Sequence, residues 1–159
     1  NYHKIDTTLF EDIWERSSGR YPVSVLRNAD RVTWRYNECP HNKYFSIDIK
    51  EDGITSACAV LTFEKKVMKL IDLVWDGRNK TALAELDGIL VETARASGSP
   101  WVEVWLSNDE EAKNILIEKG WKFAPHGDLF LVAMSFHPDL NSNEFIRCLY
   151  FTLGDSDLV

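Results

Sequence analysis

The run Val67-Met-Lys-Leu-Ile-Asp-Leu-Val-Trp75 decides the fold that this sequence predicts. It is apolar, has the length of a strand, and ends at the turn pair Asp76-Gly77. From Thr81 to Ser97 apolar residues recur at the helical period, and Gly98 then closes the helix. Trp101 to Leu106 alternates rings with aliphatic side chains, which predicts another strand. Because a helix connects the two strands, we expect them to lie parallel in one sheet.

The chain after this unit predicts one more helix and two strands. Ser107-Asn-Asp-Glu110 has the spacing of a capping box, and the helix that it starts should end at Gly120. Trp121 to Ala124 and Leu129 to Phe136 predict the strands, and Asn143 to Cys148 predicts a single helical turn. The remaining tail is expected to be a strand end and a loop.

The chain before the central run predicts two helices. Asp6 starts the first helix, which ends near Gly19. Pro22 suits the first turn of a second helix from about Val23 to Tyr36. On such a helix Arg27, Arg31 and Arg35 would share one face, since they are four residues apart. These arginines either form surface ion pairs with carboxylates such as Asp30, or bind an anionic or carboxylate-bearing ligand.

Two further strands lead into the central run. Lys43 to Ile49 and Ile54 to Phe63 predict an antiparallel pair, joined by the strong hairpin signal Asp52-Gly53. The central strand then completes a three-strand meander. The predicted class is therefore α+β, with a mixed, mostly antiparallel sheet flanked by helices.

Composition limits the function classes. The 159 residues fit a single domain, 1–159, and the net charge of −7 argues against nucleic acid or an anionic membrane surface as the partner. No apolar run approaches the roughly 20 residues of a membrane span. Cys39, Cys58 and Cys148 lack metal-ligand spacing, so we expect three free thiols in a reducing cytoplasm and no metal site. Because the chain starts at Asn1 without a methionine, we expect it to be a fragment of a longer protein.

The element order, together with the Gly120-Trp121 step after the last long helix, resembles the GNAT superfamily of acyl-CoA-dependent N-acetyltransferases. A narrower likeness is to the C-terminal half of bacterial proteins that are built from two GNAT domains. The residues that carry it are Arg27, Asp30, Trp34-Arg-Tyr36, Pro40, Tyr44 and Gly154-Asp-Ser-Asp157. The resemblance covers nearly the whole chain and implies a CoA-binding fold with possible acyl transfer to an amine.

The resemblance also implies where acetyl-CoA would bind. Its pyrophosphate would lie on a turn at a helix N-terminus, and the residues expected there are Trp75, Arg78, Asn79, Lys80, Thr81 and Ala82. Thr81 and Leu83 depart from the family pattern, because small residues that let phosphates approach the backbone belong at those positions. Leu116 stands where the family has the tyrosine that protonates the departing thiolate. Both departures weaken the case for catalysis.

Two carboxylates are candidates for the base that accepts the amine proton. Asp72 is the carboxylate inside the central run, where burial would raise its pKa, and Glu103 lies between Trp101 and Trp105. The alternative for Asp72 is a solvent-facing residue or one paired with an arginine.

Further residues are candidates for the acceptor pocket. The resemblance implies that its walls include Arg27, Trp34, Arg35 and Tyr36. Asp155 and Asp157 could bind an acceptor amine, although we expect an exposed, frayed tail there.

Three hypotheses follow. In the first, the chain is a degenerate GNAT half that packs on a catalytic N-terminal GNAT domain, or on a homodimer partner, and helps to form the pocket for a small-molecule acceptor. In the second, it is an active N-acetyltransferase that uses acetyl-CoA on an unknown amine. In the third, it is a non-enzymatic binding module with an aromatic and arginine surface. The departures at Thr81, Leu83 and Leu116 favour the first hypothesis.

Overall fold

A four-stranded sheet is the centre of the computed structural model, which describes residues 4–122, 139 and 141–156. The helices are α1 (Thr7–Ser17), α2 (Ala29–Val32), α3 (Lys80–Ser97), α4 (Glu110–Glu118) and α5 (Ser142–Cys148). The strands are β1 (Val23–Ser24), β2 (Phe45–Glu51), β3 (Ile54–Glu64), β4 (Val67–Trp75), β5 (Val102–Val104) and β6 (Leu149–Tyr150). Short 3₁₀ turns cover Ser18–Arg20 and Leu153–Asp155, and a π-helical turn, Thr33–Asn37, extends α2.

The main sheet has the order β2-β3-β4-β5. The pairs β2–β3 and β3–β4 are antiparallel, and β4–β5 is parallel. This confirms the predicted α+β class with a mixed, mostly antiparallel sheet, and β4 has the predicted bounds. The short strands β1 and β6 form a separate parallel pair that the sequence did not predict.

The two faces of the main sheet have separate apolar layers. Phe10, Ile13 and Trp14 of α1 pack on one face, where Val60 of β3 and Val74 of β4 also point. The opposite face is covered by α3, which buries the leucines Leu83, Leu86 and Leu90 against Ala59, Leu61 and Leu73. Alternate residues of β3 therefore serve opposite layers, as expected for a strand buried on both sides.

The prediction of a helix from Val23 to Tyr36 was wrong in its first half. Val23 and Ser24 pair with β6 instead, so a tertiary contact overrides the local pattern. The helix begins only at Ala29, because the side chain of Asn28 caps it by accepting a hydrogen bond from the Arg31 N–H at 3.1 Å. Arg27 consequently lies before the helix.

The predicted start of α4 was also displaced. Its N-cap is Asp109 rather than Ser107, and the Asp109 carboxylate accepts from the Ala112 N–H at 3.0 Å. The Ser107 hydroxyl instead donates to the Leu149 carbonyl at 2.9 Å. The helical turn predicted for Asn143 to Cys148 is confirmed by α5.

The strand predictions late in the chain have separate outcomes. Trp121 and Lys122 do not lie in a strand. The rest of that prediction and the strand at Leu129 to Phe136 fall outside the described residues. Within the ranges given above, no helix is both long and apolar enough to cross a lipid bilayer.

Candidate functional site

Asp72 lies at an irregular point of the sheet. Val60 pairs with Asp72, and its neighbour Leu61 pairs with Leu70, so Ile71 is an extra residue in β4. This bulge shifts the alternation of β4 and turns Asp72 toward the face that α1 and α2 cover. A carboxylate is thereby held inside a hydrophobic layer, with its side chain only 2% exposed.

The Asp72 carboxylate is hydrogen-bonded on both oxygens. The Arg27 Nε contacts them at 3.0 and 3.1 Å. The Tyr36 hydroxyl donates to Oδ2 at 2.9 Å, and the Thr152 hydroxyl donates to Oδ1 at 3.0 Å. The N–H of Leu73 adds a bond of 3.0 Å. Such saturation is the usual way to stabilise a buried charge.

Arg27 joins Asp72 to the C-terminal residues. Its Nη2 contacts the Asp155 carboxylate at 2.7 Å, and its Nη1 donates to the Val25 carbonyl at 2.9 Å. The guanidinium also lies over the rings of Trp14 and Tyr150, at 4.9 and 5.1 Å from their centroids. Burial disfavours the charged form, but Asp72 and Asp155 more than offset it and raise the pKa of Arg27.

All three arginines of the predicted stripe contact the end of the chain, although they do not share one helix face. Arg31 contacts the Asp155 carboxylate at 3.3 Å. Arg35 donates to the carbonyls of Gly154 and Ser156, at 3.0 and 2.6 Å. The ion pairs described for Arg27 and Arg31 are thus with Asp72 and Asp155.

The expectation that Asp155 lies on an exposed tail was wrong. Its side chain is 2% exposed. It forms a capping box with Thr152 around the turn Leu153–Asp155. Burial raises the pKa of Asp155, Arg27 opposes this shift, and the charge of Asp72 adds to it. Asp157 falls outside the described residues.

The C-terminal segment, Leu149–Ser156, contacts β4 and the chain after β5 where those strands part. The ladder between them covers only Met68 to Leu70, although β4 continues to Trp75. On one side the Tyr150 hydroxyl donates to the Leu73 carbonyl. On the other side the Ser107 N–H donates to the Phe151 carbonyl at 3.0 Å. The segment therefore occupies the gap between the strands, which we call the β4–β5 gap.

A second buried polar cluster surrounds Asp109. Its carboxylate accepts from the Tyr21 hydroxyl at 2.7 Å and from the Trp75 indole N–H at 2.8 Å. Arg20 adds a contact of 3.4 Å and lies over the Trp75 ring, 4.4 Å from its centroid. The sequence reasoning missed this cluster because its members come from three distant parts of the chain. Trp75, a predicted cofactor residue, is fully buried within it.

The predicted pyrophosphate turn uses several of its polar groups internally. The Asp76 carboxylate accepts from the N–H groups of Arg78 and Asn79, at 2.8 and 3.0 Å. The Asn79 side chain caps α3 by accepting from the Ala82 N–H at 3.1 Å. Lys80 forms an exposed ion pair with Glu111 at 2.8 Å. An acidic side chain already occupies part of the turn where a phosphate would need N–H donors.

The other predicted residues are dispersed. Glu103, which is half-buried in β5, accepts from the indole N–H of the exposed Trp101 at 3.0 Å. Leu116 is buried. Tyr36 is buried beside Asp72, and Trp34 is 63% exposed. Of the four predicted pocket residues, the structure brings together Arg27, Arg35 and Tyr36 around the C-terminal segment.

The cluster of Arg27, Asp72 and Tyr36 holds the C-terminal segment in place. It is not arranged for proton transfer. Burial, followed by the charge of Asp72, raises the pKa of Tyr36 well above its ordinary value, so the phenol remains neutral. An amine proton could reach Asp72 only by displacing an existing donor. In the part of the chain that the structure describes, no group of three or more His, Cys, Asp or Glu side chains could hold a metal ion.

The chain was compared with protein-family models, with curated proteins and with solved structures, and it matches none of them.

Proposed function

We propose that this chain is a GNAT-like domain that has lost independent catalysis. In this proposal it packs on a catalytic GNAT domain, or on a second copy, and helps to wall the acceptor pocket. The observation that carries it is the occupied β4–β5 gap. In the GNAT mechanism, N–H groups of a splayed strand polarise the thioester carbonyl. Here the chain's own C-terminal segment lies between the diverging strands β4 and β5.

The residues expected to bind and transfer an acyl group support the same proposal. Asp72 already accepts donors on both oxygens, and Leu116 has no proton to donate. The turn at Arg78 and Asn79 is bonded to Asp76. An active N-acetyltransferase remains the second candidate, since Arg78 and the start of α3 retain the charge and the helix N-terminus that a pyrophosphate requires. A non-enzymatic binding module is the third.

Calorimetric titration with acetyl-CoA and with CoA distinguishes the first two candidates. We expect no heat of binding up to about millimolar ligand, which corresponds to an affinity weaker than about −4 kcal/mol. Micromolar binding that Arg78→Ala removes and Lys65→Ala preserves would favour the second candidate and call for an assay of acyl transfer to amines. Lys65 is a suitable control because it lies in the turn between β3 and β4, outside the predicted cofactor turn.

The packing role predicts a specific surface. Trp34 is 63% exposed, whereas its neighbours Arg35 and Tyr36 are engaged within the chain. Tryptophan is among the residue types enriched at the energetic centres of protein interfaces. In this proposal the catalytic GNAT domain, or a second copy, docks at Trp34.

Sedimentation velocity tests that surface by comparing Trp34→Ala with Trp101→Ala, whose tryptophan is 55% exposed just before β5. We expect the Trp34 substitution alone to weaken association with the GNAT domain or with a second copy. Equal association of both variants would contradict the assignment of the surface.

A further inference from the structure

The contacts of the C-terminal segment resemble those of a bound peptide more than those of a sheet strand. Its main chain makes a two-residue ladder with β1 and a single bridge from Thr152 to Leu106. The β3–β4 ladder, by comparison, extends over the whole length of β4. Segments that are held by few main-chain bonds open locally without global unfolding.

Three spaced side chains of the segment, Tyr150, Thr152 and Asp155, contact the buried cluster around Arg27. Tyr150 is fully buried and stacks on Tyr21, with ring centroids 3.9 Å apart. Thr152 donates to Asp72, and Asp155 contacts the guanidinium of Arg27. Main-chain pairing combined with pockets for spaced side chains is how an added strand is recognised at a sheet edge.

The charges of the two sides are complementary. Arg27, Arg31 and Arg35 contact the segment that lies in the β4–β5 gap, and the segment contributes the Asp155 carboxylate and the carbonyls of Gly154 and Ser156. The contacts of Arg27 and Arg31 with Asp155 are charge-assisted, which makes them stronger than neutral hydrogen bonds. Loss of Asp155 should therefore weaken the segment's attachment more than loss of an exposed carboxylate elsewhere.

Gly154 shows how closely the segment fits. A Cβ added there would lie 2.2 Å from the Tyr36 hydroxyl and 3.3 Å from the Ile71 carbonyl oxygen. The hydroxyl cannot retreat easily, because it is buried and bonded to Asp72. The substitution Gly154→Ala thus disturbs the C-terminal segment and leaves unchanged the arginines that contact it.

We propose that the β4–β5 gap is a peptide-binding groove whose ligand here is the chain's own segment Leu149–Ser156, and that it accepts the same segment from a second molecule. The recognised chemistry is a peptide with a tyrosine, a threonine two residues later and an aspartate three residues after that, whose last part folds into the 3₁₀ turn Leu153–Asp155. This inference does not depend on acyl transfer.

Fluorescence polarisation with a labelled peptide of residues 149–156 tests the proposal on the full chain. In the wild-type chain the tethered segment competes at an effective concentration of about millimolar, so we expect little binding at about 100 μM protein. The variants Asp155→Ala and Gly154→Ala should bind the peptide at least about tenfold more tightly than the wild type, because their own segments compete less well. A peptide that carries Asp155→Ala should not bind, and the chain variant Glu144→Ala, changed at an exposed residue of α5, should behave like the wild type.

Circular dichroism establishes whether each variant is folded. If Asp155→Ala is unfolded, the binding test uses Gly154→Ala alone. Failure of the folded variants to bind the peptide would overturn the proposal, as would equal binding by the wild type.

Hydrogen exchange of the wild-type chain provides a test without variants. We expect amides of residues 149–156 to exchange faster than those of β3. If they exchange only with global unfolding, the segment is an integral part of the fold and the groove proposal is wrong.

Discussion

At the scale of single residues, the molecule depends on charges that are buried and mutually compensated. Arg27 neutralises Asp72 and Asp155 where water has little access, since all three side chains are at most 2% exposed. Removing one member of such a set is costly, because a buried charge then loses an opposite charge that compensated it. Surface ion pairs lack this dependence.

We predict that Arg27→Leu lowers the free energy of unfolding by about 3–5 kcal/mol, as is typical when a buried ion pair is broken. The matched change is Lys113→Ala, which removes the exposed pair with Glu110 on α4 and should cost at most about 1 kcal/mol. Urea unfolding of both variants measures the difference. Similar losses in the two variants would show that the Arg27 contacts contribute little.

Because the side chains of Tyr21, Tyr36 and Tyr150 are buried, we predict that the protein loses stability at alkaline pH. Burial is the largest cause that raises the pKa values of Tyr21, Tyr36 and Tyr150 above the ordinary value. A raised folded pKa contributes stability that is fully present below the unfolded pKa of about 10 and is lost as the pH rises through the folded value. The free energy of unfolding should therefore fall steadily above about pH 10.

The variant Tyr36→Phe tests this effect by urea unfolding between about pH 8 and pH 11. Because one ionising group is removed, the alkaline slope should decrease by up to about 1.4 kcal/mol per pH unit. The variant should also be less stable at pH 7, where it lacks the hydrogen bond to Asp72. An unchanged alkaline slope would mean that Tyr36 ionises normally in the folded protein.

At the scale of elements, two hairpin loops share a backbone conformation with positive φ but are built from different residues. The loop between β2 and β3 is Asp52-Gly53, with φ of 49° and 81°. The loop between β3 and β4 is Lys65-Lys66, with φ of 48° and 72°. Two-residue loops with positive φ at both positions favour Asn-Gly or Asp-Gly, so the lysine loop is strained.

We predict that Lys66→Gly stabilises the protein by up to about 1 kcal/mol, since glycine adopts positive φ without steric cost. The reciprocal change Gly53→Ala should destabilise by a similar amount. Thermal unfolding of the two variants provides the comparison. A shift in the same direction for both would contradict this account of the loops.

At the scale of the whole molecule, α1 and α3 shield the centre of the sheet from water on its two faces. Cys58 lies in β3 with no exposed surface, and burial raises the pKa of its thiol well above the ordinary value. Cys39 and Cys148 are partly exposed. A thiol reagent should therefore distinguish local access from global opening.

We expect Cys39 and Cys148 to react quickly in the folded protein, whereas Cys58 should react only at the rate of global unfolding. The double variant Cys39→Ser/Cys148→Ser isolates the slow thiol, and its labelling rate should rise with urea in parallel with the unfolding equilibrium. Fast labelling of Cys58 in native buffer would contradict a sheet core that is closed on both faces.

The sequence by itself determined the elements whose signals are local. These elements are β4, the hairpin at Asp52-Gly53, and α3 with the glycine that ends it. The sequence predicts them because periodicity and turn chemistry depend on neighbouring residues. The α+β class followed from their order. The Thr152-x-x-Asp155 spacing was a capping signal that could have indicated an ordered turn at the chain end.

Only the tertiary structure decided the roles of the polar residues. Arg27 and Asp155 are 128 residues apart, and no local pattern connects them. Asp109 likewise gains Tyr21 and Trp75 only when three parts of the chain meet. The physical reason is that a buried charge is defined by partners that folding brings to it, whereas a strand or a turn is defined largely by its own residues.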